Sequence, residues 1–195
     1  LTAEGNGYWA GLFAGPQTGD QYKFVMHKGA DKYTRLDPYA REVTNSVGNA
    51  IISETTFDWG EDRFVISTWN TLVIYEMHIG TFHDEDRGDG KPSTFQAAVK
   101  RLPYLQDLGI TAIELMPPME FPGGHSWGYN PSAIFAIESD YGGPTAFKTF
   151  VKAAHEHGIA IILDVVYNHL GPSDLDLWQF DGWQENEMGG IYFYN

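Results

Sequence analysis

Hydrophobic and polar positions follow one pattern before residue 70 and another after it. In the first part, aromatic and β-branched runs such as Tyr22-Lys23-Phe24-Val25 alternate with turn pairs such as Gly15-Pro16, Gly19-Asp20 and Lys28-Gly29. This pattern is typical of a β-meander. Only two or three strands are visible, and a small sheet needs a second layer to be stable. We therefore expect the β-domain to begin before Leu1, and we interpret residues 49–70, where periodicity fades, as an ordered connector.

After residue 70 the pattern predicts strands alternating with helices. Three apolar runs of strand length, 72–76, 111–116 and 159–166, begin about 40 residues apart. Such alternation predicts a parallel sheet with its ligand site at the carboxyl ends of the strands. The loops that would follow these strands, 77–92, 117–143 and 167–195, are long and rich in His, Trp, Tyr, Asn and Asp. The sequence therefore places a candidate site in these loops.

Capping residues, prolines and glycines predict where the intervening helices begin and end. Ser93 and Gln96 have the spacing of a capping box before the first helical run. Pro103 is expected to kink or split that helix, since proline removes a backbone donor. Gly109 is expected to end it, and a later helix is expected to run from about Pro144 to the stop at Gly158.

The length of this second part leaves two architectures open. From residue 70 to residue 195 there are about 125 residues, whereas a complete (β/α)8 barrel usually needs about 250. The pattern alone is equally compatible with an incomplete barrel and with a small open α/β sheet.

Composition narrows the class of partner. The formal net charge of -14 disfavours nucleic acid and anionic membranes, which bind clustered cations. The 6 Trp and 11 Tyr residues suit sugar faces as well as protein cores, so a neutral ligand is expected. No apolar run reaches the roughly 20 residues of a membrane span. The absence of cysteine fits a cytoplasmic protein, which is the expected location, although the sequence leaves export undecided.

The most informative segment is the end of the third predicted strand, Ile162-Leu163-Asp164-Val165-Val166-Tyr167-Asn168-His169. On a strand, Asp164, Val166 and Asn168 lie on one face, which places a carboxylate near the end of a buried strand and an amide and an imidazole after it. This arrangement indicates a binding site. The alternative is an aspartate that caps a neighbouring helix and a histidine on a solvated loop.

Residues 164–169 resemble the first signature region of the α-amylase superfamily, glycoside hydrolase family 13. Residues 73–82 resemble the first barrel strand of that family, 113–117 the second, and 126–130 the loop that follows. Residues 19–24 and 37–40 are similar to the end of the starch-binding-type sandwich in branching enzymes, debranching enzymes and trehalose-releasing hydrolases. The whole pattern looks more like branching enzymes and trehalose-releasing hydrolases than like simple secreted amylases.

The resemblance implies an α/β fold class: the N-terminal part of a (β/α)8 TIM barrel, preceded by the end of an all-β immunoglobulin-like sandwich. Residues 1–48 would be the C-terminal part of the sandwich, 49–70 the connector, and 71–195 the first three βα units of the catalytic barrel. An unpaired barrel edge would then favour association with another chain or with further barrel units.

The resemblance also implies roles for individual residues. Tyr129 would stack on the sugar ring at the cleavage subsite, and Asp164 and His169 would bind hydroxyls of the same sugar. An aromatic face matches the C–H side of a pyranose, and a carboxylate and an imidazole can bond adjacent hydroxyls.

Five further residues are weaker candidates. Trp127 is a substrate-binding candidate, although packing is the more common role for such a tryptophan. His125 and Asn130 are candidates for the rim of the site. Asn168 is a weak candidate for a calcium ligand, and no cofactor is expected, with calcium as a minority alternative. His78 is expected to be structural.

The resemblance implies that the bond-making groups are elsewhere. In this family the carboxylate nucleophile and the acid/base follow the fourth and fifth barrel strands, which we expect to lie beyond Asn195. The expected function is part of a retaining α-glucan hydrolase or transglycosylase, with the isolated chain inactive. The alternatives are a noncatalytic α-glucan-binding protein or inactive fragment, and an unrelated α/β domain.

Overall fold

The structure is a computed structural model that describes residues 1–84 and 88–186. The N-terminal part contains six short strands that form separate two-stranded antiparallel sheets, β1–β2, β4–β5 and β3–β6. The strands are β1 Thr2–Gly5, β2 Tyr8–Ala10, β3 Gln21–Tyr22, β4 Phe24–Lys28, β5 Asp31–Arg35 and β6 Ala50–Ile51.

The single β-meander predicted for this region is wrong. Residues 11–20 contain Gly15-Pro16 and Gly19-Asp20 and carry no strand, so β2 and β3 are too far apart to form a tight hairpin. β3 pairs instead with β6, where Gln21 lies opposite Ile51. A small core that includes Leu36, Val43 and Ala50 of this part packs against Ala133 and Ala136 of the later part.

The strands and helices that alternate after residue 70 confirm the pattern predicted from the sequence. The strands are β7 Ile74–Met77, β8 Ala112–Leu115, β9 Met119–Glu120, β10 Ala133–Ile137 and β11 Ala160–Leu163, and the helices are α1 Ile79–Phe82, α2 Phe95–Val99, α3 Leu102–Asp107 and α4 Gly143–Glu156. β7, β8 and β11 form a parallel sheet with β8 in the centre. β9 and β10 form an antiparallel hairpin inside the long loop after β8, which the sequence did not indicate.

Proline and glycine interrupt or end the helices at the positions that the sequence predicted. The first helical run is split into α2 and α3, with Pro103 in the first turn of α3, where a missing N–H costs little. Gly109 and Gly158 have φ values of +87° and +72°, in the left-handed region that ends helices before β8 and β11.

The predicted capping box at Ser93 is wrong by one residue. Thr94 is the N-cap of α2, and its side-chain oxygen accepts a hydrogen bond from the Ala97 N–H. The Ser93 hydroxyl instead donates to the carbonyl of His83, 2.5 Å away. Because the Ser93 hydroxyl is engaged by the carbonyl of His83, the neighbouring Thr94 caps the helix.

The main core lies between the parallel sheet and the helices. Met77, Leu115 and Ile161 of the three strands pack towards it. Because side chains alternate along a strand, Glu76, Glu114 and Ile162, which are in register across the sheet, occupy the opposite face. The two carboxylates therefore lie side by side on the face away from the helices.

The first residues of the predicted connector form β6 and pair with β3, whereas residues 58–64 lie along α4. Lys152 Nζ donates to the carbonyl of Asp58 at 3.0 Å, and the His155 ring lies 2.8 Å from an Asp62 oxygen while stacking on Phe64. Within the described residues, no helix has both the length and the apolar character needed to cross a bilayer. The last residues of the predicted barrel segment, 187–195, lie outside the described part of the chain.

Candidate active site

The candidate site lies at the carboxyl ends of the parallel strands. Asp164 directly follows β11, and its N–H donates to the carbonyl of Leu115 at the end of β8. The loop after β8 carries Tyr129, and the Gly171 N–H donates to the carbonyl of Pro131 at 2.8 Å. The segments that follow β8 and β11 therefore lie against each other, as expected for the loop face of a parallel sheet.

Three predicted site residues are in direct contact. The Tyr129 hydroxyl donates to Asp164 Oδ2 at 2.7 Å. His169 Nε2 lies 2.7 Å from the carbonyl oxygen of Tyr129, and His169 Nδ1 lies 2.8 Å from Asn168 Nδ2. A carbonyl only accepts, so Nε2 carries the proton and Nδ1 accepts from the amide. The tautomer of His169 is therefore set by its two neighbours.

The electrostatics of this group follow from its carboxylates. The hydrogen bond to Asp164, followed by burial and nearby negative charge, raises the pKa of Tyr129 to about 12. Glu76 and Glu114 add smaller contributions in the same direction. The Tyr129 hydroxyl is thus held as a neutral donor, and Tyr129 remains 40% exposed. A partly exposed ring beside a carboxylate is suited to a ligand with an apolar face and adjacent hydroxyls.

Asn168, the weak candidate for a calcium ligand, has a protein partner in the structure. Its side-chain amide contacts the ring of His169. Across residues 1–84 and 88–186, no group of three His, Cys, Asp or Glu side chains is arranged to hold a metal ion.

The other three candidates lie on the same loop as Tyr129 but differ in environment. Trp127 is 72% exposed, which does not support the packing interpretation. His125 is also exposed, whereas Asn130 is half-buried. The Asn130 side-chain oxygen contacts the Ser126 hydroxyl, so Asn130 contributes to the shape of the loop.

The loop depends on a close backbone approach at Gly128. Gly128 has φ +89°, and a Cβ added there would lie 1.9 Å from the carbonyl oxygen of Pro117. We expect Gly128→Ala to lower the free energy of unfolding by about 2 kcal/mol more than Gly123→Ala. Gly123 lies in the same loop at φ +76° but would meet nothing within 4 Å. Urea unfolding of the two variants measures the difference, and equal losses would contradict the predicted clash.

Two buried glutamates behind this loop were missed in the sequence. Glu120 in β9 and Glu138 after β10 are each only 1% exposed. Glu120 Oε2 accepts from the Ser139 N–H at 2.8 Å, and the Glu138 carboxyl accepts from the N–H groups of Phe121 and Asp140. Position 120 lies between Met119 and Phe121, and this apolar context was the available signal of burial.

Desolvation is the main reason that the pKa values of these two carboxyls are raised. Burial, with the charge of Glu138 as the next cause, raises the pKa of Glu120 to about 8. Burial raises the pKa of Glu138 to about 7, although its two backbone N–H bonds act in the opposite direction. The hairpin that carries the Tyr129 loop therefore contains carboxyls that retain protons near neutral pH.

Comparison with known protein families matches residues 62–184 to the family model described as alpha amylase, catalytic domain. A malto-oligosyltrehalose trehalohydrolase from Saccharolobus solfataricus is 39% identical over 173 residues, which cover 88% of this chain and 29% of that protein. A 1,4-alpha-glucan branching enzyme from Pseudoalteromonas atlantica is 32% identical over 187 residues, 90% of this chain and 26% of that protein.

Solved structures give the same picture. A crystal structure assigned as an alpha amylase from Salmonella typhimurium has a TM-score of 0.76 and 38% identity, covering 85% of this chain and 27% of that one. A pullulanase from Anoxybacillus sp. LM18-11, solved as a complex with maltotetraose, has a TM-score of 0.65 and 25% identity, with coverage of 78% and 27%. The chain thus spans 29% or less of the length of each of these proteins.

Proposed function

The chain belongs to the α-amylase family, as the match of residues 62–184 to its catalytic domain shows, and from this premise we propose that the full-length protein acts on α-1,4-glucan with retention. The observation that carries the proposal is the contact between Tyr129 and Asp164 at the carboxyl ends of β8 and β11. In this role the Tyr129 ring stacks on the sugar at the point of cleavage. The Asp164 carboxylate binds hydroxyls of that sugar.

The histidine and the remaining loop residues have supporting roles in this proposal. His169 binds a sugar hydroxyl by sharing the Nε2 proton that it now donates to the Tyr129 carbonyl. The exposed Trp127 and His125 contact the glucan at the rim, and Asn130 shapes the rim through Ser126. Interactions with sugar hydroxyls that strengthen as charge develops at the anomeric carbon favour the transition state.

We further propose the finer domain assignment. Residues 1–48 form the end of an immunoglobulin-like sandwich, 49–70 the connector, and 71–195 the first three βα units of the barrel. The hairpins of the N-terminal part and the parallel order of β7, β8 and β11 support this division. β11 is an outer strand of the sheet within the described residues, so we infer that a further strand pairs with it in the full-length protein.

The nucleophile and the acid/base belong, in this proposal, to later barrel strands of the full-length protein. The trehalohydrolase and the branching enzyme named above suggest two reactions. One is hydrolysis that releases trehalose from a malto-oligosyltrehalose, and the other is transfer of a glucan chain to form a branch. Both reactions need the same sugar-binding residues beside the cleaved bond.

The decisive experiment supplies the full-length protein with malto-oligosyltrehalose and with amylose. Trehalose release supports the hydrolase, and new branch points in amylose support the transferase. Tyr129→Ala is expected to lower either activity by about 10²-fold, because the sugar loses its stacking surface at the reacting centre.

Tyr8→Ala is the matched control, since Tyr8 is an exposed tyrosine in the β2 hairpin strand. We expect it to keep full activity. Binding of glucan without any product would favour the noncatalytic alternative, and the absence of both binding and turnover on α-glucans would overturn the proposed function.

A further inference from the structure

His78 contacts the loop that carries Tyr129, although it is 51 positions earlier in the chain and follows a different strand, β7. It directly follows β7 and is the N-cap residue of α1, so it lies at the same end of the sheet as Asp164. Its side chain forms no capping hydrogen bond within α1. The Nε2 side of the imidazole instead faces another segment of the chain.

Both ring nitrogens of His78 have defined partners. Nε2 lies 2.7 Å from the carbonyl oxygen of Ser126, and Nδ1 lies 3.0 Å from the Thr81 hydroxyl. A carbonyl can only accept, so Nε2 carries a proton and donates to Ser126, and in this tautomer Nδ1 accepts from the Thr81 hydroxyl. The buried Tyr141 presents its hydroxyl 3.1 Å from Nε2 and meets the imidazole edge-on. These contacts fix both the tautomer and the orientation of the ring.

Ser126 transmits this contact to the rest of the loop. Its hydroxyl oxygen accepts from the Gly128 N–H at 3.0 Å and also contacts the Asn130 side chain. Further along the loop, the position of the backbone is restricted by the close approach of Gly128 to Pro117 and by the hydrogen bond from His169 to the Tyr129 carbonyl. His78 thus ties Ser126, in the middle of the segment between β9 and β10, to the end of the first parallel strand.

We propose that His78 is a positioning residue that binds the Ser126 carbonyl and thereby keeps the Tyr129 ring in place beside Asp164. Its imidazole does not touch the sugar in this proposal. The activity readout rests on the proposed function, whereas the position of the loop can be measured without any glucan. Misplacement of a group at the reacting centre by about 1 Å can lower the rate about 10²-fold, so a single distant hydrogen bond can matter.

The test combines His78→Phe, which keeps a ring and removes the donor, with His78→Gln, whose side-chain amide can donate to Ser126. In the full-length protein we expect His78→Phe to lower kcat by about 10-fold or more, with KM for long glucans changed less than about 3-fold. We expect His78→Gln to recover most of kcat. His27→Phe, in the exposed strand β4, is the matched control and should leave kcat unchanged.

A double-mutant cycle shows whether His78 acts through Tyr129. If it does, adding His78→Phe to Tyr129→Ala lowers kcat by less than about 2-fold further, since the positioned ring is already gone. Thr81→Val removes the hydroxyl that bonds Nδ1 and should cause a smaller loss in the same direction. This variant keeps the test decisive if His78→Phe does not fold.

Hydrogen exchange of the Gly128 amide, which donates to the Ser126 hydroxyl, supplies the readout without glucan. We expect faster exchange in His78→Phe and wild-type exchange in His78→Gln. Unchanged exchange in His78→Phe, equal damage in both His78 variants, or fully multiplicative effects in the double mutant would overturn the positioning role. If the wild-type protein had no activity on α-glucans, the proposed function would fail while the exchange result still decided the role of His78.

Discussion

Replacing Asp164 by asparagine in the full-length protein is expected to lower kcat/KM on α-glucans by about 10²- to 10³-fold. The carboxylate accepts a hydrogen bond from the Tyr129 hydroxyl at 2.7 Å. In the proposed role it also accepts a hydrogen bond from a sugar hydroxyl. Asparagine keeps the volume but has one acceptor oxygen and no charge. The loss should appear mainly in kcat, because hydrogen bonds to the carboxylate strengthen as the transition state forms.

Two further variants give this prediction its controls. Tyr129→Phe removes the hydroxyl and keeps the ring, so we expect a smaller loss of about 10-fold or less. Asp107→Asn makes the same chemical change on the exposed end of α3 and should leave kcat/KM unchanged.

The pKa of Tyr129 supplies a second readout that does not need activity. The bond to Asp164 is the first cause of the rise of this pKa to about 12. In Asp164→Asn the pKa should fall towards the ordinary tyrosine value, which NMR titration of labelled tyrosine can measure. An unchanged tyrosine pKa together with unchanged kcat/KM would contradict the role assigned to Asp164.

The second large effect concerns stability and pH, and it arises from Glu120 and Glu138. Burial raises the pKa of Glu120 from 4.5 to about 8, so the folded protein keeps a proton that the unfolded chain releases. Below about pH 4.5 the carboxyls are protonated in both states, and the pair adds no dependence of stability on pH. As pH rises from about 4.5 to 8 the unfolded state binds fewer protons, so the free energy of unfolding falls.

We expect Glu120 by itself to lower the free energy of unfolding by an amount on the order of 4 kcal/mol across that window. Glu120→Gln mimics the protonated carboxyl and should remove the Glu120 contribution to the slope, which makes the variant more stable than the wild type at pH 8.5, while Glu138 keeps its own smaller contribution. Urea unfolding at pH 5.5, 7 and 8.5 measures both proteins.

Glu4→Gln, on the exposed strand β1, makes the same substitution without burial and should keep the wild-type slope. If Glu120→Gln kept the full wild-type slope as well, burial of Glu120 would not be a source of the pH dependence.

Much of the backbone could be predicted because its causes act within a few residues. Pro103 splits α2 from α3 since proline has no N–H, and Gly109 and Gly158 end helices since glycine adopts positive φ at little cost. The run that ends at Asp164 is apolar and β-branched, which predicted a buried parallel strand over 159–166; the structure has a parallel strand there, but it is shorter, Ala160–Leu163, and only partly buried. Element type and order followed from these local preferences, and the family followed from the motif that they support.

Some local details could not be predicted because they depend on distant segments. Ser93 and Thr94 are both good N-caps, and the carbonyl of His83 decided between them by engaging Ser93. The β9–β10 hairpin contains only two residues in β9, so its pattern is too short to recognise in a sequence. These features became visible only when the chain was folded.

The sequence by itself determined the alternation of strands and helices, the membership of the family and the identity of Tyr129, Asp164 and His169 as candidates. Only the tertiary structure decided that Tyr129 donates to Asp164, that His78 binds Ser126, and that Glu120 lies buried near Glu138. The physical reason is the distance along the chain over which each interaction acts. Backbone preferences act between near neighbours, whereas these contacts and pKa shifts depend on where separate strands end and on which groups are removed from water.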